Sequence, residues 1–116
     1  MIQYVSFHAV VRYLDRVLGL PVDEWLAGLD HLPEDKRAQK ACECAGLPVD
    51  AVRLCMLTEP VIRALRRPLS TKVHVITPEA IFIVQDGTLV TVLSPQMQRY
   101  RTKKYKAHKS NQLREV

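Results

Sequence analysis

The chain has 116 residues, of which 47% are hydrophobic and 25% are charged, and its formal net charge at pH 7 is +5. This length predicts one domain with a single core, and the sequence holds no apolar run of the about 18 residues that a membrane-spanning helix requires. Because the first residues also lack the basic and apolar regions of a secretory signal, we expect a cytoplasmic protein with no membrane partner.

Proline, glycine and apolar periodicity divide the first 67 residues into helices. Ser6 is the expected N-cap of an amphipathic helix over residues 7–18, which Gly19 ends. Later helices are expected to begin at prolines, because proline suits the first helical turn. The second helix begins at Pro21, the third at Pro33 with an end at Ala45, and the fourth at Pro48. Pro60 either interrupts the fourth helix or starts a short fifth one that ends at Arg67.

The pattern changes to that of β-strands after Pro68. Runs rich in β-branched residues at 72–77, 80–85 and 88–94 predict three strands. Asp86-Gly87, between the last two runs, is a strong signal for a two-residue hairpin turn. We therefore predict an α+β fold over residues 1–94, in which N-terminal helices within 6–67 pack on a small antiparallel sheet within 72–94.

The Asp86-Gly87 turn also gives an expected register for the hairpin. Counting outward from the turn pairs Ile83 with Val90 and Phe82 with Thr91. Both faces of the hairpin are then apolar, so we expect it to lie centrally and to be covered on both sides. The side chains that share one face in this register are Phe82, Val84, Leu89, Thr91 and Leu93.

A row of titratable and cationic side chains follows the first helix. His8, Arg12 and Arg16 are spaced i, i+4 and i+8, so they lie along one side of it. RNA cleavage without a metal needs a base for the 2′-hydroxyl, an acid for the leaving oxygen and positive charge at the phosphate. Histidine suits the proton transfers and arginine suits the phosphate. The same residues, with Asp15 pairing to Arg12, also fit an ordinary solvent-exposed helix face.

The segment SFHAVVRYLDRV at residues 6–17, followed late in the chain by the hairpin VQDGTLVTV at 84–92, resembles a known group. It is similar to the H-A-x-x-R-x-x-x-R opening helix and late hairpin of the barnase–EndoU–colicin–RelE (BECR) ribonucleases and toxins of phages and bacteria. The resemblance implies helices packed on a short antiparallel sheet, action on RNA without a metal or other cofactor, and a protein partner such as an antitoxin. The catalytic residues that it implies are His8, Arg12, Arg16 and the strand hydroxyl of Thr91.

A second pattern, over residues 39–55, resembles a helix-turn-helix. Gly46 lies at the turn, with Cys42 four residues before it and Val52 six residues after it, and such small side chains let two helices cross closely. The second helix could enter a major groove, where Arg53 is best placed to read a base. This pattern supports an alternative, non-catalytic function as a DNA-binding regulator or as a phage inhibitor protein that binds a host nucleic-acid-processing complex.

Residues 95–116 are predicted to form a basic C-terminal arm, because they contain seven basic residues and one acidic residue. Basic residues interleaved with tyrosines suit a nucleic-acid strand, because the charges can contact its backbone and the rings can stack on its bases. An arm that only increases solubility has the same composition. We favour RNA over DNA as the partner. The residues expected to bind it are Arg99, Tyr100, Arg101, Lys103, Lys104, Tyr105 and Lys106, together with Arg53.

The three cysteines do not predict a metal site or a disulfide. Their number is odd, and in a helix Cys42 and Cys44 would lie about 200° apart, so they could not bind one metal ion or form one disulfide without breaking the helix. One further cysteine, Cys55, does not complete a four-ligand zinc site. We therefore expect a reducing compartment and small core roles for all three residues.

Overall fold

The structure is a computed structural model that describes residues 1–68 and 70–96. Within these residues a 3-10 turn over Ile2–Tyr4 precedes five helices, and a sheet follows them, so the α+β prediction is confirmed. The predicted arm residues 99–106 lie outside the described residues. The helices are α1 Phe7–Arg16, α2 Val22–Trp25, α3 Glu34–Ala45, α4 Val49–Met56 and α5 Glu59–Leu65, and the strands are β1 Lys72–Ile76, β2 Ile81–Gln85 and β3 Thr88–Leu93.

Proline and glycine set the helix boundaries much as predicted. α3 begins after Pro33 and ends at Gly46, whose φ of 73° is a left-handed conformation that glycine adopts without strain. α4 begins after Pro48, and Pro60 lies in the first turn of α5, so Pro60 belongs to a new helix. None of the helices in the described part of the chain has both the length and the apolar character needed to span a bilayer.

The sheet is antiparallel with strand order β1-β2-β3, and the helices cover one of its faces. Buried residues of α1, α3, α4 and α5 join Phe82, Val84 and Val92 in the main core. On the opposite face, Ile81 and Ile83 belong to a second, smaller buried cluster. The prediction of a hairpin buried on both faces therefore holds for β2, which is the central strand, whereas β3 lies at an edge.

A bulge in β3 changes the expected register. Ile83 pairs with Thr91, and Val90 is an extra residue with no partner of its own in β2. The predicted pairing of Ile83 with Val90 was therefore wrong, because one extra residue moves every later side chain to the other face. Val92 takes the place in the helix-covered core that the regular register gave to Thr91.

Ser6 fastens α1 to this bulge. Its backbone N–H donates to the Leu89 carbonyl at 3.0 Å, and its Oγ donates to the Val90 carbonyl at 3.1 Å. The same Oγ accepts a hydrogen bond from the Ala9 N–H at 3.0 Å, which caps α1. Val5, which is fully buried, extends the contact through an isolated parallel bridge with Leu89.

Burial separates the three cysteines, all of which are free thiols. Cys42 lies in the core, as predicted, and burial raises the pKa of its thiol to about 11. Cys44 and Cys55 are exposed, so the expectation of a core role was wrong for both of them. No group of three metal-ligating side chains comes together among the described residues.

Replacing Ser6 with alanine is expected to lower the free energy of unfolding by about 1–2 kcal/mol. The reason is that α1 loses its cap while the Val90 carbonyl loses its donor. Urea unfolding of Ser6→Ala and Ser6→Thr beside the unmodified chain measures the loss, and threonine is expected to restore most of it because it keeps the hydroxyl. An alanine variant as stable as the original chain would contradict this role of Ser6.

Alkylation is expected to distinguish the cysteines. At about pH 8 iodoacetamide should modify Cys44 and Cys55 in the folded chain, whereas Cys42 should react only after unfolding, because a buried thiol with a raised pKa stays protonated. Fragment-ion mass spectrometry assigns the modified residues. Modification of Cys42 in the folded chain as fast as that of Cys44 would show that Cys42 is accessible.

Candidate functional site

The predicted row on α1 lies at the border of the core. α1 packs against both α3 and β3 through its fully apolar stripe. His8, Arg12 and Arg16 flank that stripe, and each of them is half-buried. The structure therefore places the three residues beside the junctions of α1 with its neighbours, where other elements can contribute to the same surface.

His8 meets a carboxylate from α3. Its Nδ1 lies 3.6 Å from Oε1 of Glu34, and the two side chains are 43% and 50% exposed. In a neutral imidazole, an Nδ1–H that points toward a carboxylate leaves the Nε2 lone pair directed away from it. In that tautomer, Nε2 is a proton acceptor on a side chain that is 43% exposed. Glu34 could not be found from the sequence, because only the packing of α3 on α1 brings it to His8.

Two arginines of α1 and α3 have unused donors. Arg12 Nη1 lies 3.4 Å from Oδ2 of Asp15, but its Nε is buried and has no hydrogen-bond partner in the described structure. Arg37, one turn after Glu34 on α3, also has a buried Nε without such a partner. Both side chains are half-buried, and because a guanidinium only donates hydrogen bonds, the part of each that reaches the surface suits an anion such as a phosphate. Arg37 was missed in the sequence, where it stands in an ordinary charged helix.

Arg16 ties the end of α1 to the sheet. Its Nη1 donates to the Val92 carbonyl at 2.8 Å. Burial lowers the pKa of Arg16, and the neighbouring charge of Arg12 lowers it further, while Asp15 and Asp23 act in the opposite sense. A bound anion would offset both lowering effects, because it favours the charged guanidinium. Arg16 thus combines a structural hydrogen bond with positive charge beside Arg12.

The structure does not bring Thr91 or Arg53 to this surface. Thr91 is half-buried and, after the bulge, lies on the sheet face opposite the helices. The Arg53 side chain is only 14% exposed, its Nε donates to the Val5 carbonyl at 3.1 Å, and its guanidinium lies 4.3 Å from the ring centroid of Phe7. Arg53 therefore holds the N-terminal segment against α4.

The exposed face of α4 is poorly suited to reading bases. It presents Leu54, which is 65% exposed, together with Asp50. Base edges in the major groove are read chiefly by side chains such as arginine, lysine, asparagine and glutamine, whereas a carboxylate repels the flanking phosphates. The turn at Gly46 does join two helices, but the base-reading residue predicted for the second helix, Arg53, packs against the protein.

Comparisons with protein-family models, with curated proteins and with solved structures found no match for the chain.

Glu34 is expected to set the tautomer of His8. In ¹⁵N-detected imidazole spectra recorded where the ring is neutral, His8 should show more of the Nδ1–H form than His31, an exposed histidine that serves as an internal reference. A Glu34→Ala variant should bring the two rings to the same ratio, because the carboxylate that favours Nδ1–H is gone. Equal ratios in the unmodified chain would show that the Glu34 contact does not orient His8.

Proposed function

We propose that the chain binds RNA and cleaves it without a metal, at a site formed by His8, Arg12 and Arg16 of α1 together with Glu34 and Arg37 of α3. The observation that carries the proposal is the approach of His8 Nδ1 to Glu34 Oε1 at 3.6 Å. Glu34 can orient His8, a group able to transfer protons, on a helix that also carries two arginines. Cleavage at a phosphate needs this combination of proton transfer and positive charge.

The reaction can be written with the residues of this chain. His8 Nε2 takes the proton of a 2′-hydroxyl, and the 2′-oxygen attacks the adjacent phosphorus. The bond from phosphorus to the 5′-oxygen breaks, and the imidazolium returns a proton to that oxygen. The products are a 2′,3′-cyclic phosphate end and a 5′-hydroxyl end. Because the attacking oxygen is the 2′-hydroxyl, DNA is not a substrate for this reaction.

The arginines supply charge rather than proton transfer. Arg12 and Arg37 are half-buried; their Nε atoms are buried, so the exposed N–H groups of the two guanidiniums are the ones that can donate to the non-bridging phosphate oxygens. Arg16 adds positive charge while its Nη1 remains bound to the Val92 carbonyl. The strand hydroxyl of Thr91 has no part in this proposal, because it lies on the other face of the sheet.

The resemblance to BECR proteins supports the same reaction, and with it a toxin-type or phage-type role and a protein partner such as an antitoxin. The net charge of +5 supports a polyanionic substrate. Binding by the basic arm, at residues 99–106, remains a prediction. For the alternative as a DNA-binding regulator, the exposed face of α4 offers little support, since Arg53 is 14% exposed.

The test is incubation of mixed cellular RNA with the purified chain in EDTA, beside the variants His8→Ala and His31→Ala. We expect cleavage that leaves 2′,3′-cyclic phosphate ends and falls by about 100-fold or more in His8→Ala, because a proton-transfer group is lost. His31 is exposed and has no part in the site, so its variant should keep full activity and controls for handling and contamination.

Two results would overturn the cleavage mechanism. Equal cleavage by the His8→Ala variant would point to a contaminating nuclease, and intact RNA at equimolar protein would show that the chain does not cleave it. Filter binding on the same samples then separates the remaining functions. Retained RNA binding with no cleavage would indicate a non-catalytic binding module, in which loss of the arm matters more than loss of His8.

A further inference from the structure

A groove of about 490 Å³ lies between α5 and β1. Arg63 of α5 lines it together with Arg67, which lies beyond the end of that helix at Leu65. Residues 73–76 line it from the strand. β1 is at the opposite edge of the sheet from β3, against which α1 packs, so the groove is separate from the surface around His8.

Four exposed cations at this groove form a basic patch, which consists of Arg63, Arg66, Arg67 and Lys72. Two of them line the groove, and the other two are sequence neighbours of residues that line it. None of the four forms an ion pair with a carboxylate in the described structure. Their positive charges are therefore available to an external anion.

The rest of the described chain has the opposite charge. Residues 1–96 contain ten basic and eleven acidic residues. Without the basic patch, six basic and eleven acidic residues remain, which is a net charge of −5. Because the positive charge is concentrated at one groove on an otherwise acidic body, a polyanion is attracted to that groove more than to the remaining described surface.

Helix chemistry accounts for only part of the basic patch. Arg63 and Arg66 lie near the end of α5, where cations suit the helix dipole, but Lys72 is on a strand. Glu59 stands four residues before Arg63, a spacing at which exposed opposite charges commonly pair. The described structure contains no such pair, and Arg63 lines the groove instead.

We propose that the basic patch binds the phosphate backbone of single-stranded RNA, as a second contact for the strand that reaches His8. The choice of RNA rests on the function proposed above, whereas the call for an anion rests on the patch itself. Three of its four cations are arginines, whose planar guanidinium donates two parallel hydrogen bonds to a phosphate.

The arrangement of the patch favours a nucleic-acid strand over an acidic peptide. Its cations come from a helix, the segment after it and a strand, so they share no regular spacing. A flexible single strand carries a phosphate at every nucleotide and can adapt to such positions. No Phe, Tyr or Trp is among the residues that line the groove in the described structure, so stacking on bases contributes little there. Binding at the patch is therefore expected to depend strongly on salt and little on base sequence.

The test measures binding of a fluorescein-labelled 2′-O-methyl uridine strand of about 20 nucleotides to the full-length chain, by anisotropy at several salt concentrations. This strand has no free 2′-hydroxyl, so the result is independent of whether His8 cleaves RNA. Arg63→Gln combined with Arg67→Gln should weaken binding by about tenfold or more at about 0.1 M salt. The slope of log K against log salt should become shallower by about 1.4, because each phosphate contact with a single strand contributes about 0.7.

The matched control is Gln3→Glu combined with Ala51→Glu, which changes the net charge by the same amount at exposed positions outside the groove. This control should leave the slope unchanged. An unchanged slope in the arginine variant would overturn the proposal, as would a control that lowers the slope equally or an unmodified chain that does not bind the strand. Displacement of the strand by a glutamate oligomer of similar length, at a lower concentration than unlabelled strand requires, would assign the groove to an acidic protein segment instead.

Discussion

The outer edge of β3 is the junction on which the rest of the fold depends. Three of its carbonyls, those of Leu89, Val90 and Val92, accept hydrogen bonds from Ser6 N–H, Ser6 Oγ and Arg16 Nη1 at 3.0, 3.1 and 2.8 Å. In a regular strand successive carbonyls point to opposite edges. The bulge is therefore what turns two neighbouring carbonyls toward Ser6, and one serine both begins α1 and joins it to the sheet.

This junction also explains how the surface around His8 is positioned. Ser6 holds one end of α1 and Arg16 holds the other, so the helix cannot rotate about its axis without breaking bonds to β3. α1 packs against β3 on one side and against α3 on the other, and this packing on α3 brings His8 to Glu34. Proton transfer needs groups held in place, and elements packed on a common core provide that better than loops do.

Local signals explain why most of the fold could be predicted. Proline and glycine define where helices begin and end, and Asp86-Gly87 defines a turn, because these residues restrict the backbone wherever they occur. The bulge has no such signal, since Leu89, Val90 and Thr91 are all ordinary strand residues. Its stabilising partner, Ser6, is 84 residues away from Val90 in the chain. Counting from the turn consequently placed Thr91 on the wrong face.

The roles of the arginines could likewise be predicted only in part, because they depend on contacts between residues far apart in the chain. The sequence identifies each arginine but not whether its donors are already used. The Nε of Arg53 donates to the Val5 carbonyl, 48 residues away, so a residue expected to contact nucleic acid already holds the N-terminal segment. Arg37, which no pattern singled out, has a buried Nε with no partner in the described structure. Availability of a cation depends on tertiary packing, which composition does not report.

The two edge strands of the sheet differ in what lies beside them. At β3 the N-terminal segment and Arg16 use the outward carbonyls, whereas the described chain places no strand beside β1. Between them β2 is buried on both faces, so the hydrogen bonds of Ser6 and Arg16 to β3 join α1 to a sheet whose central strand is part of the core. The surface around His8 therefore lies beside the edge of the sheet that the N-terminal segment and Arg16 already use.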